Sequence, residues 1–241
     1  MNYLFDIDGT LTPSRLPIDK DFEQYFFEWM QDKNVYFVTG SDKDKTIEQI
    51  GERIWKAATR CYQSCGNAVY ENGKLIRQLD LTDTFNKIES GSGSLEHLLQ
   101  VFQHNSQWKE TYENHIEHRI GLINFSIIGR TCPQEARERY YEWDLEHKER
   151  ELFCQKIMEH FPVFEASVGG QISIDIYPKG KNKAQVLDEI DGDITFFGDK
   201  CLPGGNDYPI VERLFPIIDD HTIHHVKDWK ETFSILKSYN K

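Results

Sequence analysis

The spacing of apolar residues predicts that the chain opens with alternating strands and helices. Residues 2–5 and 35–38 form apolar runs typical of buried strands, whereas residues 19–32 and 43–55 repeat apolar side chains at the interval of a helix turn. This order of elements implies parallel strands connected by right-handed crossovers. Ligands of such sheets bind at the carboxyl ends of the strands. The residues that follow each strand are therefore candidates for a functional site.

The middle of the chain has a different pattern, in which helices alternate with pairs of short strands. Residues 62–79 read as short strands with a hairpin turn at 71–73, and the serine- and glycine-rich residues 90–94 interrupt the pattern. The elements that follow are an apolar helix at 95–102, alternating runs at 116–119 and 122–128, one long charged helix at 133–160, and alternating runs at 163–168 and 172–177. Together they predict an antiparallel sheet backed by helices, which is an α+β unit.

The α/β alternation resumes near the end of the chain. The elements predicted there are a helix at residues 183–190, a strand at 194–197 and a terminal helix at 228–239. The fold class is therefore α/β, with a parallel sheet in a core of residues 1–81 and 180–241. The inserted α+β cap, with its antiparallel sheet, is predicted at residues 82–179.

Acidic and hydroxyl side chains follow the predicted strands. Asp6 and Asp8 come directly after the first strand, one residue apart and next to Gly9, and Thr39 and Ser41 come after the second. Because the side chains of a strand alternate with a period of two, the two carboxylates project near one another. Two carboxylates at a small turn make a hard-oxygen site that suits Mg²⁺.

Composition argues against several classes of partner. The formal net charge is −12, whereas proteins that bind nucleic acid or an anionic membrane surface need an excess of Lys and Arg, so we expect neither partner. The chain opens with no signal-peptide pattern, and no apolar run approaches the length of a membrane span. Its five cysteines lack zinc-ligand spacing. We therefore expect a reduced, cytoplasmic setting.

Five strings along the chain carry a resemblance to a known family. In chain order they are LFDIDGTLTPSR, TGSDKDKTIEQIG, NFSIIGRTCPQEAR, VGGQISIDIYPKG and FFGDKCLPGGND. In sequence and in order they resemble the eukaryotic-type phosphomannomutases, which belong to the haloacid dehalogenase (HAD) superfamily of phosphotransferases. The resemblance covers nearly the whole chain. It implies a HAD-like Rossmannoid core with a parallel sheet, into which the α+β cap is inserted.

The resemblance implies a role for the acidic residues of the core. Asp6 is the expected nucleophile, which attacks phosphorus and forms an aspartyl-phosphate. Two anions meet in that step, so Mg²⁺ is expected on Asp6, Asp199 and the backbone carbonyl of Asp8. Asp8 is also the expected general acid to the leaving sugar oxygen, and then the general base to the incoming one.

The same resemblance implies roles for the polar residues around these acids. Thr39 or Ser41 is expected to hydrogen-bond a phosphoryl oxygen, and Lys183 to balance its charge. Asn206 and Asp207 are expected to orient the metal shell. On spacing alone, Lys183 is more typical of a solvated lysine at the start of a helix, so its role depends on the family pattern.

Arginines of the predicted cap match family residues that bind the distal phosphate of the substrate. The arginines that match are Arg119, Arg130, Arg137 and, near the opening loop, Arg15. Guanidinium groups suit phosphate oxygens, and several can share one dianion. Ser173 and Asp175 lie two apart on one predicted strand, hence on one face, and match residues that bind sugar hydroxyls.

The implied reaction interconverts mannose 6-phosphate and mannose 1-phosphate, small sugar phosphates, through a hexose bisphosphate intermediate. A hexose 1,6-bisphosphate is the expected activator. Family members resemble dimers joined through their caps, so a homodimer is expected here. The preference for mannose over glucose stays open, because the two sugars differ in the orientation of one hydroxyl.

Three departures from the family pattern keep a second function open. Thr39 stands where the mutases have glycine, and residues 64–67 replace a Pro-Glu-Asn-Gly stretch. The loop after Asp207 is shortened, which leaves the family's second, peripheral metal site open. A sugar-phosphate phosphatase of the same fold is the alternative function. A third reading is a binding protein that has kept the fold without the chemistry.

Overall fold

The computed structural model describes residues 1–79, 93–217 and 221–239. The chain forms two compact units. The core unit comprises Met1–Gln78 and Lys183–Lys241, and the inserted unit comprises Leu79–Asn182. Most of the predicted interruption at residues 90–94 lies outside the described residues.

The described part of the chain contains eleven strands. They are β1 Asn2–Phe5, β2 Asn34–Val38, β3 Arg60–Gln63, β4 Ala68–Glu71, β5 Lys74–Gln78, β6 Ile116–Arg119, β7 Leu122–Phe125, β8 Phe164–Gly169, β9 Ser173–Pro178, β10 Ile194–Gly198 and β11 Thr222–His225. Their order along the two sheets separates the units, because strands 1–5, 10 and 11 form one sheet and strands 6–9 form the other.

Seven α-helices are described in the same ranges. They are α1 Lys20–Trp29, α2 Lys43–Ala57, α3 Leu95–Asn105, α4 Gln134–His147, α5 Glu149–His160, α6 Tyr208–Leu214 and α7 Trp229–Ser238. Short 3₁₀ helices span Met30–Asp32, Ser64–Gly66, Lys183–Glu189 and Phe215–Ile217. None of the described helices is long and apolar enough to cross a membrane.

The core sheet has the strand order β11-β10-β1-β2-β3-β4-β5. The first five strands in this order are parallel, and β4 and β5 continue the sheet as an antiparallel hairpin. The predicted turn is present: Glu71 pairs with Lys74, and Asn72 and Gly73 both have positive φ, as a two-residue hairpin turn requires. The predicted α/β core with a parallel sheet is confirmed.

Aromatic side chains fill the space between the core sheet and α1. Asp19 caps this helix by accepting the N–H groups of Asp21 and Phe22. The buried face then carries Phe22, Phe26 and Trp29, as the periodicity predicts. Phe5 of β1 packs edge-on against Phe26 and stacks on Phe197 of β10 at 4.7 Å between ring centroids. This packing holds the central strands in place, and with them the residues at their carboxyl ends.

The inserted unit contains a four-stranded antiparallel sheet with the order β6-β7-β9-β8. Its own apolar core joins the sheet to α3, α4 and α5 through side chains such as Leu99, Tyr140, Ile157 and Ile174. Phe102 and Phe153 stack face to face at 4.3 Å. The predicted antiparallel sheet backed by helices is confirmed.

The predicted long helix at residues 133–160 is wrong, because the chain breaks into α4 and α5 at Lys148. Lys148 has a left-handed conformation with φ 56°. Asp144 accepts the N–H of Arg150 at 3.0 Å and its Nε–H at 2.7 Å, and the Arg150 guanidinium also donates to the carbonyl of Gly169 at 3.0 Å. A buried ion pair therefore starts α5 where no glycine or proline marks a boundary.

Three further elements differ from the prediction. Residues 183–189 form a 3₁₀ helix instead of an α-helix, and β7 ends at Phe125, three residues before the end of the predicted run. The sequence analysis predicts no element at α6, which carries Pro209 in its first turn. Proline is compatible with that position, because the first N–H groups of a helix have no partner within it.

Candidate active site

The residue predicted to be the nucleophile lies at the centre of the core sheet. Asp6 directly follows β1, whose neighbours are β2 and β10. Its N–H donates to the carbonyl of Phe197 at 3.0 Å, which continues the strand ladder by one residue and fixes the backbone that carries the side chain. Asp6 is buried, with 3 % of its surface exposed.

Lys183 joins two of the predicted acidic residues inside the core unit. Its Nζ donates to Asp6 Oδ1 and to Asp207 Oδ1, both at 2.7 Å, and only 1 % of the residue is exposed. Burial alone lowers the pKa of Lys183, but the charges of Asp207 and Asp6 outweigh it and hold this pKa well above its ordinary value. The solvated-lysine reading is therefore wrong, and Lys183 is a buried cation.

Three carboxylates lie around Lys183, and Nζ of a second, half-buried lysine, Lys200, lies 3.7 Å from Asp199 Oδ2. Asp6, Asp199 and Asp207 each offer an oxygen atom, and these atoms lie within 4.8 Å of one another. Burial, with the added charges of Asp207 and Asp199, raises the pKa of Asp6 well above its ordinary value despite Lys183. Burial also raises the pKa of Asp199 to about 7. The cluster thus holds more negative charge than Lys183 can balance.

The residues of this cluster fit a divalent cation. Asn206 Oδ1 is buried and has no hydrogen-bond partner among the described residues, and Asp207 Oδ2 is fixed by the N–H of Lys200 at 3.0 Å. A Cβ placed on Gly9 would lie 2.5 Å from Asp199 Oδ2, so only glycine lets the loop after β1 approach this carboxylate. Carboxylate and amide oxygens in this number suit Mg²⁺.

Asp8 lies outside the cluster of three carboxylates. Its Oδ1 accepts the backbone N–H of Arg15 at 2.6 Å and the Nε2–H of Gln49 at 2.9 Å. The sequence analysis does not single out Gln49, although a polar residue on the buried face of α2 is a signal that could have found it. The described contact of Arg15 with this site is through its backbone.

Thr39 and Ser41 begin the loop after β2. The Thr39 N–H donates to the carbonyl of Tyr62 at 3.0 Å, and its hydroxyl accepts the N–H of Ser41 at 3.1 Å. Thr39 is buried, whereas Ser41 is half-buried. The Thr39 hydroxyl therefore shapes the loop, and no described hydrogen bond joins either residue to Asp6.

The stretch that departs from the family pattern packs against the 3₁₀ helix that begins at Lys183. Ser64 and Cys65 have positive φ, and Gln185 Nε2 donates to the carbonyl of Cys65 at 2.8 Å. A Cβ on Gly66 would lie 2.9 Å from Val186 Cγ1. This loop supports the segment that carries the buried lysine.

The predicted residues of the inserted unit form one polar network on its sheet. Glu117 accepts from Arg119 Nε at 2.9 Å and pairs with Arg130 Nε at 2.8 Å. The Arg130 guanidinium also donates to Asn124 and, at 3.4 Å, to the hydroxyl of Ser173. Neither Glu117 nor Asn124 is among the predicted site residues: Glu117 shares a strand face with Arg119, whereas Asn124 meets Asp175 only through the pairing of β7 with β9.

Two further predicted residues complete this network. Asp175 is buried, and its Oδ1 accepts from Asn124 Nδ2 at 2.6 Å across the β7–β9 pair. Arg137 is buried on α4 and donates to the carbonyl of Arg130. The guanidinium groups of Arg119 and Arg130 therefore meet at Glu117, and guanidinium groups suit phosphate oxygens.

The fold and the core site define the class of the protein. A parallel sheet with an aspartate cluster at the carboxyl ends of its strands, interrupted by an inserted α+β unit, is a HAD-like fold. A trehalose-6-phosphate phosphatase related protein has the same fold, with a TM-score of 0.56 at 15% identity. That match covers 99% of this chain and 96% of the other.

Sequence comparison narrows the class to a family. The family model described as eukaryotic phosphomannomutase matches residues 22–239. The phosphomannomutase of Saccharomyces cerevisiae is 32% identical over 240 residues, which cover 97% of this chain and 91% of that protein. The phosphomannomutase of Drosophila melanogaster is 33% identical over 246 residues, with 97% and 92% covered. The chain belongs to the eukaryotic phosphomannomutase family of enzymes.

Proposed function

We propose that this enzyme interconverts mannose 6-phosphate and mannose 1-phosphate through an aspartyl-phosphate and a hexose bisphosphate. The observation that carries the proposal is the buried Asp6–Lys183–Asp207 arrangement, beside Asp199, in a chain of the phosphomannomutase family. A buried carboxylate next to a fixed cation is suited to accept a phosphoryl group, because the site holds charge in place before the reaction.

Asp6 acts as the nucleophile in this proposal. A carboxylate oxygen of Asp6 forms a bond to phosphorus while the bond from phosphorus to the sugar oxygen breaks. Lys183 stays protonated and balances the charge of the phosphoryl oxygens, a role that its raised pKa supports. Asp6, Asp199 and the backbone carbonyl of Asp8 would hold Mg²⁺, which would supply the positive charge that lets two anions approach. Asn206 and Asp207 would orient these ligands.

Asp8 transfers the proton in each direction. It gives a proton to the sugar oxygen that leaves and takes one from the sugar hydroxyl that attacks the aspartyl-phosphate. Thr39 or Ser41 would hydrogen-bond a phosphoryl oxygen. The bonds that Asp8 Oδ1 accepts from Arg15 and Gln49 hold this carboxylate apart from the three-carboxylate cluster, which supports a role separate from theirs.

The polar network of the inserted unit is proposed to recognise the rest of the substrate. Arg119, Arg130 and Arg137 would bind the phosphate that is not being transferred, whereas Ser173 and Asp175 would bind sugar hydroxyls. Arg15 would assist near the opening loop. A substrate with two phosphates, presented in alternate orientations, is what a mutase requires, so a hexose 1,6-bisphosphate is the proposed activator.

The cellular location and the oligomeric state of the enzyme are part of the same proposal. We propose a cytoplasmic location, which agrees with five buried cysteines that form no disulfide with one another. A homodimer joined through the inserted unit is proposed from the family resemblance. Neither nucleic acid nor a membrane is proposed as a partner, since the formal net charge of −12 opposes both.

Phosphorus NMR tests this function directly. The experiment combines mannose 1-phosphate, purified protein, Mg²⁺ and a trace of glucose 1,6-bisphosphate. We expect a growing mannose 6-phosphate signal without free phosphate, and none from the D6N variant. Absence of isomerisation by the wild-type protein would contradict the proposed mutase.

A sugar-phosphate phosphatase is the second candidate. It is favoured by Thr39, a buried side chain at a position where the mutases have glycine. If the NMR experiment gives free phosphate as the main product, the enzyme is a phosphatase. The T39G variant would then be expected to lower the ratio of free phosphate to mannose 6-phosphate.

A further inference from the structure

We propose that Gln49 is a positioning residue for Asp8, and that it fixes which oxygen of this carboxyl group carries the transferred proton. The inference rests on the proposed function, in which Asp8 is the general acid and base. Gln49 lies on α2 with 1 % of its surface exposed, and its Nε2 donates to Asp8 Oδ1 at 2.9 Å. Gln49 takes no other part in the proposed chemistry.

The hydrogen bonds of Asp8 distinguish its two oxygens. Oδ1 accepts two N–H groups, one from Gln49 and one from the backbone of Arg15 at 2.6 Å. A backbone N–H can only donate, so Oδ1 is an acceptor whether or not the carboxyl group is protonated. The proton is therefore carried by Oδ2, and the two donors keep that oxygen in a fixed orientation.

A bend in the backbone lets Gln49 hold the loop after β1 from two sides. Gly51 interrupts α2 with φ 78° and ψ 150°. The carbonyl of Gln49, two residues earlier, accepts the N–H of Ile18 at 2.8 Å. In an uninterrupted helix that carbonyl would accept from the residue four positions later. The side chain of Gln49 thus binds the start of the loop, and its carbonyl binds the end.

The amide of Gln49 also binds the middle of the loop after β1. Gln49 Nε2 also donates to Thr12 Oγ1 at 3.1 Å, and the N–H of Gly9 donates to the carbonyl of Thr12 at 2.9 Å. Arg15 reaches Asp8 in a left-handed conformation with φ 62°, which is unfavourable for a residue with a Cβ. A strained donor and a buried amide that converge on one carboxylate oxygen indicate a positioning device.

The inference predicts an effect that depends on the leaving group. Transfer of a phosphoryl group from glucose 1,6-bisphosphate to Asp6 releases a sugar oxygen that needs a proton from Asp8. Acetyl phosphate releases acetate, which leaves as a stable anion, and its phosphoryl group passes to the Asp6 carboxylate without proton transfer. A residue that acts only by positioning Asp8 should therefore matter for the first donor and not for the second.

First-turnover phosphorylation of the enzyme with the two donors, in the presence of Mg²⁺, tests the inference. D8N is the reference variant, for which we expect the phosphorylation rate to fall about 10²- to 10⁴-fold with glucose 1,6-bisphosphate and to change little with acetyl phosphate. Q49M should show the same selective pattern at about 10- to 10²-fold, because a misplaced catalytic group loses rate of this order.

Two further variants separate positioning from folding. Q49N keeps an uncharged amide but is one methylene shorter, which withdraws the N–H group from Asp8, so it should give the same selective loss even where Q49M does not fold. Asn2 carries a buried amide that donates to the carbonyl of Asp191 at 2.8 Å. The control variant N2L should melt at a lower temperature with equal effects on both donors.

The outcomes distinguish this inference from the function on which it rests. If D8N slows phosphorylation by the sugar phosphate alone, while Q49M and Q49N slow phosphorylation by both donors equally or by neither, Gln49 does not position Asp8. If D8N slows phosphorylation by both donors equally, Asp8 does not transfer the proton, and the inference about Gln49 is then wrong as well. A wild-type enzyme that neither donor phosphorylates would overturn the proposed function itself.

Discussion

At the scale of single residues, the core site concentrates acid groups around one buried lysine. Removing a single partner from a buried ion pair usually costs about 3–5 kcal/mol, because the charge left behind has lost its water. We expect K183M to lower the free energy of unfolding by about this amount in the absence of Mg²⁺, since Asp6 and Asp207 would then face each other.

A double variant makes this prediction specific. D207N in the K183M background removes one of the two opposed charges, so K183M/D207N should recover part of the lost stability. Urea denaturation of the wild type, both single variants and the double variant measures the coupling. Strictly additive losses would contradict the charge balance described here.

Asp199 makes the affinity for Mg²⁺ depend on pH. Burial raises the pKa of Asp199 to about 7 in the metal-free protein, so below this pH the group is protonated and a metal must displace the proton. Affinity for Mg²⁺ should therefore fall as pH decreases through 7, by about 10-fold between pH 8 and pH 6 for one displaced proton. Isothermal titration calorimetry measures both the affinity and the protons released.

The raised pKa of Asp199 also determines whether the stability of the metal-free protein rises or falls with pH. The folded-state pKa of Asp199 lies above the unfolded value, so its contribution to stability is largest at low pH and decreases as pH rises towards 7. Mg²⁺ should consequently raise the melting temperature more at pH 8 than at pH 6. Equal Mg²⁺ affinity at the two pH values would argue against Asp199 as a ligand, and D199N serves as the control.

At the scale of elements, most substitutions destabilise a protein, but one at the break between α4 and α5 is expected to stabilise it. Lys148 occupies a left-handed conformation that glycine adopts without steric cost. Its ion pair with Glu151 is exposed and contributes little. The left-handed conformation costs a residue with a Cβ about 1–2 kcal/mol, whereas the greater freedom that glycine gives the unfolded chain costs about 0.4–1 kcal/mol. K148G should therefore raise the free energy of unfolding by about 0.5–1 kcal/mol, as measured by chemical denaturation.

A glycine placed nearby supplies the matched control. Glu146 is exposed in the last turn of α4, and E146G should destabilise the protein by about 1 kcal/mol, because its backbone is helical. A loss of stability in both variants would mean that the backbone at Lys148 is not left-handed in solution.

Apolar spacing predicts most elements because burial decides where they form. The central strands β1, β2 and β10 are mostly apolar. Asn72-Gly73 marks a hairpin because both residues adopt the positive φ that its turn requires. The break at Lys148 could not be predicted, because it depends on an Asp144–Arg150 pair that reaches Gly169, a residue remote in sequence. Helix α6 was missed because Pro209 is more often a sign of a loop than of a helix start.

The residues of the candidate site also fall into two groups, those that the sequence predicts and those that it does not. Asp6 and Asp199 follow strands directly, so position in the chain identifies them, and Lys183 required the family pattern. Gln49, Glu117 and Asn124 lack such a position, because each acts by a side-chain contact across elements or strands. Contacts of this kind depend on tertiary packing, which spacing along one element does not encode.

At the scale of the whole molecule, the two units carry opposite chemistry. The core unit gathers carboxylates that need a cation, and the inserted unit gathers guanidinium groups that suit an anion. Each unit also has its own apolar core. A ligand of one unit can therefore be expected to stabilise that unit first.

Hydrogen exchange measured by mass spectrometry tests this division. All the proposed Mg²⁺ ligands lie in the core unit. A ligand that binds only the folded state stabilises it by an amount that grows with the logarithm of one plus the ratio of its free concentration to its Kd. Mg²⁺ should slow exchange in peptides that contain Asp6, Asp199 and Asp207, while peptides from α5 and β8 change little. The D199N variant should lose the protection. Equal protection of both units by Mg²⁺ would show that they open as one cooperative structure, since metal binding confined to the core would then stabilise the inserted unit as strongly.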